Sequence, residues 1–114
     1  MNGSEFTKSQ KKIARQLIEK GLLKEFADGI KKLDNIISLW KAKTLSERET
    51  WYELYEKLKK HDKHIARRYD RLSGSQYLYV IAAQLADGVI SKDDLEEFNE
   101  DVRENILFLS KIDR

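Results

Sequence analysis

The chain contains no cysteine and no proline, and only five glycines and two histidines among 114 residues. Without cysteine there is no disulfide, no thiolate nucleophile and no thiolate zinc site. Without proline, and with few glycines, little interrupts long helices, whereas a β-rich fold needs turn residues every few positions. No apolar run approaches the ~18 residues of a membrane span. No apolar stretch near the N-terminus reads as a signal peptide. These absences lead to the expectation of a cytoplasmic protein with no membrane partner. Phosphate-loop chemistry is excluded because no glycine cluster precedes a helix, and Ser73-Gly74-Ser75 is not a Gly-x-Ser-x-Gly nucleophile elbow. The motifs carry no resemblance to a known family.

What is present is a folded composition, 40% hydrophobic and 37% charged. The length suits one domain. Gly3-Ser4-Glu5-Phe6 is what two adjacent common cloning sites encode. Residues 1–6 are therefore expected to be an added leader, disordered or frayed, and residues 7–114 a single helical domain.

Hydrophobic spacing predicts an all-α fold, a compact antiparallel helical bundle of about five helices. The first covers 7–20, with Thr7 and Gln10 at capping-box spacing, and stops at Gly21 in a Schellman motif. The second covers 22–42 and buries Leu23, Phe26, Ile30, Leu33, Ile37 and Trp40. A rival reading joins the two into one helix over 8–42, a rod of about 52 Å that suits only an elongated dimer. The third starts at the capping box Ser46-Glu47-Arg48-Glu49 and runs to about Leu72, burying Trp51, Leu54, Leu58, Ile65 and Leu72. Gly74 ends it. The fourth, 75–87, is ended by Gly88, is apolar on most sides and should be the most buried. The fifth starts at Ser91, capped by Asp94 and stapled by Ile90 and Leu95, with Leu95, Phe98, Val102, Ile106 and Leu109 inward.

Charge is segregated. Residues 8–32 and residues 57–71 each carry a net +5, and residues 87–104 a net −6. Along the third helix, Lys60, Lys63, His64, Arg67 and Arg71 share the side opposite the apolar stripe, a candidate basic binding face for a phosphate backbone or an acidic partner. A solvated helix face is the plain alternative. Near the C-terminus Ile106, Leu107, Phe108 and Ile112 are apolar on more than one side, which makes them a candidate interface or a doubly buried turn.

Asp62 falls on the edge of the expected core stripe, with Tyr55 and Tyr69 seven residues to either side and His61 adjacent. This set is a candidate buried polar group. A structural network satisfying Asp62 is the preferred account, and a general base in a pocket the competing one. His61 and His64 are three apart, but His61 leans to the apolar flank and His64 to solvent, so no metal is expected. Calcium is excluded at Asp87-Gly88-Val89-Ile90-Ser91, where an EF-hand register puts Ala83 and Leu85 at the first ligand positions. The same corner is not a DNA-reading helix-turn-helix, because Asp93, Asp94, Glu96 and Glu97 would face phosphates. No catalytic constellation and no cofactor is implied.

The leading functional expectation is a non-catalytic protein–protein interaction or regulatory module, with self-association as one form of it. The alternatives are nucleic-acid binding through the basic faces of the first and third helices, and an enzyme with a pocket near Asp62.

Overall fold

The computed structural model describes residues 6–70 and 72–112. Every regular element among them is helical: α1 (Lys8–Lys41), α2 (Glu47–Tyr69), α3 (Tyr77–Ala86) and α4 (Glu100–Ile112), with 3-10 turns at Gly74–Gln76 and Lys92–Leu95. None of these helices is long and apolar enough to cross a membrane.

Four α-helices replace the expected five because α1 passes straight through Gly21. Neither Gly21 nor Gly29 takes a positive φ. Both are instead buried, and each makes room for a neighbour. A Cβ at Gly21 would collide with the Gln84 amide and lie 3.2 Å from Val89 Cγ1, while one at Gly29 would lie 2.5 Å from His61 Cδ2. These glycines serve close approach, not chain reversal. The stop comes at Lys43, which takes the left-handed φ of 64°. There the Lys43 amide donates to the Trp40 carbonyl at 2.9 Å and Thr44 to Leu39 at 2.9 Å, a Schellman pattern without glycine. Gly88 does fill that role, with φ 73° and with Val89 N–H donating to Gln84 O at 2.8 Å.

The expected starts at Thr7 and Ser46 are present. Thr7 Oγ1 accepts from the Gln10 amide at 3.2 Å, and the Ser46–Glu49 capping box is reciprocal. The Ser91–Asp94 box is also reciprocal, but it caps only one 3-10 turn. The last α-helix starts eight residues later, where Asn99 Oδ1 accepts from the Val102 amide at 3.0 Å. Gly74, expected to end the third helix, opens the 3-10 turn before α3.

The chain divides into two compact units, residues 1–22 with 71–114 and residues 23–70, and α1 contributes to both. Unit 1 holds the hydrophobic core. Ala14, Leu17 and Ile18 of α1, Leu78, Ile81 and Ala82 of α3, and Leu95, Phe98, Val102 and Ile106 are all buried. Helix α3 is the most apolar, as expected, yet it also carries a fully buried Gln84 whose Nε2 donates to Ile18 O at 3.2 Å. Phe6, expected to be disordered or frayed, is ordered. It is buried against the rings of Phe98 at 5.7 Å and Tyr77 at 6.3 Å and so belongs to this core. Residues 1–5 lie outside the described residues.

Unit 2 is an antiparallel helical hairpin, the later part of α1 against α2. Glu25 meets His64 and Arg68, Gly29 meets His61, and Trp40 Nε1 donates to Glu47 at 3.0 Å. Paired residue numbers thus fall on one side of the hairpin as they rise on the other.

Alanine normally stabilises a helix interior over glycine by about 0.5–1 kcal/mol. At Gly21 the sign reverses. Gly21→Ala is expected to lower the unfolding free energy by about 1–3 kcal/mol through overpacking against Gln84, while Gly74→Ala, whose nearest neighbour is Lys11 Cε at 3.7 Å, stays within about 0.5 kcal/mol. Urea unfolding followed by circular dichroism measures both, and a Gly21→Ala protein as stable as wild type refutes the close-approach role.

Candidate functional site

Two features distinguish unit 2: a carboxylate clamp between its helices and an apolar face left uncovered beside it. Glu25, on α1, is only 4% exposed. Its Oε1 accepts from His64 Nε2 at 2.6 Å. Its Oε2 accepts from Arg68 Nη1 at 3.1 Å and from the Tyr69 hydroxyl. The Glu25 backbone carbonyl accepts from His61 Nε2 at 2.6 Å. Both histidines therefore carry their hydrogen on Nε2. His61, His64 and Arg68 lie three and four apart on α2, so one helix face delivers all three to a single residue.

The electrostatics follow from those partners. Burial pushes the Glu25 carboxyl up, but the Tyr69 and His64 hydrogen bonds and the Arg68 guanidinium outweigh it, and the net effect is a value below the ordinary 4.5. With three donors on its two oxygens, the carboxylate is a structural clamp and has little capacity left to abstract a proton. The closest analogue in unit 1 is Asp94, lowered by Lys20 at 2.7 Å and by the Ser91 amide.

The clamp decides which side of α2 turns inward. Thr50 is buried, and Leu54, His61, His64 and Arg68 are half-buried. Of the expected core stripe of α2, Trp51 is 72% exposed and Leu58 56%, as is the flanking Tyr55 at 56%. On α1 the inward positions are Glu25, Gly29 and Ile36, whereas Leu23, Phe26 and Ile30 are exposed, Ile30 at 66%. The expected burial is therefore corrected at Leu23, Phe26, Ile30, Trp40, Trp51 and Leu58, while Leu33, Ile37, Leu54, Ile65 and Leu72 are half-buried. Among the described residues Ile36 is the one buried hydrophobic side chain of unit 2.

The offset is regular. Phe26, Ile30 and Ile37 each follow an inward residue of α1 by one position, as Trp51 and Tyr55 follow Thr50 and Leu54 on α2. One residue turns a helix by roughly 100°. Both stripes are rotated from the packing direction in the same sense along the chain. In an antiparallel pair that places them on the same broad side of the hairpin. The opposite side carries Lys31 and Asn35 from α1 and Glu49, Glu53, Glu56, Lys60, Lys63 and Arg67 from α2, all exposed.

The other sequence candidates separate. Lys60, Lys63 and Arg67 are exposed, but His64 is turned into the clamp, and Arg71 lies outside the described residues. Glu53 and Glu56 share the face with the three remaining cations. Of the buried polar set, Tyr69 and His61 reach Glu25, while Asp62 and Tyr55 are exposed. The error has one cause: α2 is rotated so that its polar face, not its apolar one, meets α1. The histidines do not diverge, for their rings lie 5.9 Å apart. Of the C-terminal candidates Ile106 is fully buried, Leu107 half-buried, and Phe108 and Ile112 exposed. Glu25 was missed because it sits in a Lys-rich stretch, where an acid reads as surface. Its place on the α1 seam Ala14, Ile18, Gly21, Glu25, Gly29, at three- and four-residue steps, was the available signal.

Comparison with known proteins returned no matching family model, no similar curated protein and no similar solved structure.

The clamp generates two expectations. Because the folded-state pKa of Glu25 is depressed, its contribution to stability is complete above about pH 4.5 and is lost as pH falls through the lower folded-state value. Acid unfolding of Glu25→Gln should accordingly be shallower than that of wild type, as read by helicity against pH. Glu25→Ala at neutral pH, which leaves the half-buried Arg68 guanidinium without its carboxylate, should cost about 2–4 kcal/mol in urea unfolding.

Proposed function

We propose that this protein is a non-catalytic protein–protein interaction module and that the broad apolar side of unit 2 is its docking surface. One observation carries the reading. Leu23, Phe26, Ile30 and Trp40 of α1 and Trp51, Tyr55 and Leu58 of α2 are exposed and share one side of a hairpin that buries polar groups between its own helices. Soluble chains seldom leave a patch of this extent open unless something covers it. Its centre is rich in aromatic and large aliphatic side chains (Phe26, Trp51, Tyr55, Leu58), the residue types that anchor protein interfaces. Most charged groups lie on the far side, whereas the exposed Asp62, one position after the inward His61, shares the apolar side.

Catalysis has less support. The buried carboxylate is already saturated with donors, and the exposed Asp62 has no arrangement of acid, base and nucleophile around it. On α2, nucleic-acid binding keeps Lys60, Lys63 and Arg67 among the described residues of its proposed face, interspersed with glutamates that repel a phosphate backbone.

Substitution separates a docking face from a core. Phe26→Asp combined with Leu58→Asp should keep the helical circular dichroism of wild type and a cooperative urea transition. The same change at Ile81, fully buried in unit 1, should abolish both. Collapse of helicity in the Phe26/Leu58 double variant would make these residues core and end the reading.

A further inference from the structure

We infer that the occupant of this face is a second copy of the same chain, two hairpins stacking their apolar sides into a four-helix bundle. The inference rests on the docking role proposed above and names its partner. Three observations lead to it. First, exposed large side chains from both helices of an antiparallel pair share one side, an arrangement that a second copy can cover to make a four-helix bundle. Second, the size is sufficient. The stripes run from Leu23 to Trp40 on α1 and alongside on α2. At 1.5 Å per residue and about 10 Å per helix, this is a footprint of about 27 by 20 Å. Pairing two such faces removes on the order of 1,100 Å² from water, which clears the roughly 1,000 Å² of a specific interface.

Third, one edge pair is complementary in charge. When a two-fold axis runs along the helices, α1 of one copy lies over α2 of the other. The pairing of Gly29 with His61 puts residue 31 level with residue 59. Asp34 on the outer edge of α1 then lies within one helical turn of Lys59 on the outer edge of the partner's α2. Lys59 already leans over the Tyr55 ring at 5.6 Å, at the border of the apolar side. Lys41 and Arg48 fall at the loop end, where both side chains can fan into water. A hairpin with one buried hydrophobic side chain among its described residues gains a larger core by this pairing.

The chain supplies its own reporters. Trp40 and Trp51 are its only tryptophans and both belong to this face. Solution mass by light scattering over a concentration series, at low and high salt, is measured together with acrylamide quenching of tryptophan fluorescence. The expected result is twice the 13.4 kDa chain mass, insensitive to salt as an apolar seam should be, with shielded tryptophans. Leu58→Asp should weaken the dimer on the order of 100-fold and expose the tryptophans, while Phe108→Asp leaves both unchanged; circular dichroism confirms that each variant folds. A monomer with freely quenched tryptophans overturns the second copy but leaves the docking face standing. A monomer with shielded tryptophans overturns both. A dimer that survives Leu58→Asp and Ile30→Asp but dissociates with Phe108→Asp overturns the inference by moving the interface to α4.

Discussion

Unit 2 is organised by a single buried carboxylate. Glu25 cannot sit at 4% exposure without donors, and α2 provides them from one face: His64, Arg68 and Tyr69 to the side chain, His61 to the backbone. Removing an ionised carboxylate from water is costly, so the rotation of α2 about its axis is governed by this requirement rather than by burial of its apolar stripe. Gly29 makes the geometry feasible, since any side chain there would occupy the space of the His61 ring. The exposed apolar side is the direct consequence of that rotation.

Unit 1 is built on the opposite principle. Its helices meet through Leu17, Ile18, Ile81, Phe98, Val102 and Ile106, and its few buried polar groups are local devices. Gln84 reaches the Ile18 carbonyl, Gln10 Oε1 accepts from the Asn99 amide at 3.1 Å, and Asn99 in turn caps α4. One chain thus contains a conventional apolar core and a hairpin whose helices touch through charge.

This contrast explains where the sequence was readable. Starts at Thr7 and Ser46, the Gly88 stop and the burial of Ile90, Leu95, Phe98, Val102 and Ile106 follow from local patterns whose physics is complete within a few residues, and all are present. Readings that needed a partner element went astray. Gly21 reads as a stop because its neighbour Gln84 lies 63 positions away in the chain. His64 reads as solvent-facing because its acceptor is on another helix. Asp62 reads as half-buried because the stripe beside it was taken to be inward. The acidic stretch at Asp93–Asp94 was assigned to a long helix, yet the capping box there holds only one 3-10 turn before Asn99 restarts the chain.

From the sequence alone came the helical class, the amphipathic stripes, the caps and the segregation of charge, because propensity and hydrophobic period are properties of short stretches of chain. The tertiary structure decided that two expected helices are one, which face of α2 packs, and that the apolar stripes of unit 2 face outward. Those outcomes depend on how close two backbones can approach and on which buried charge must find donors. Both are set between residues far apart in the chain, and no local period records them.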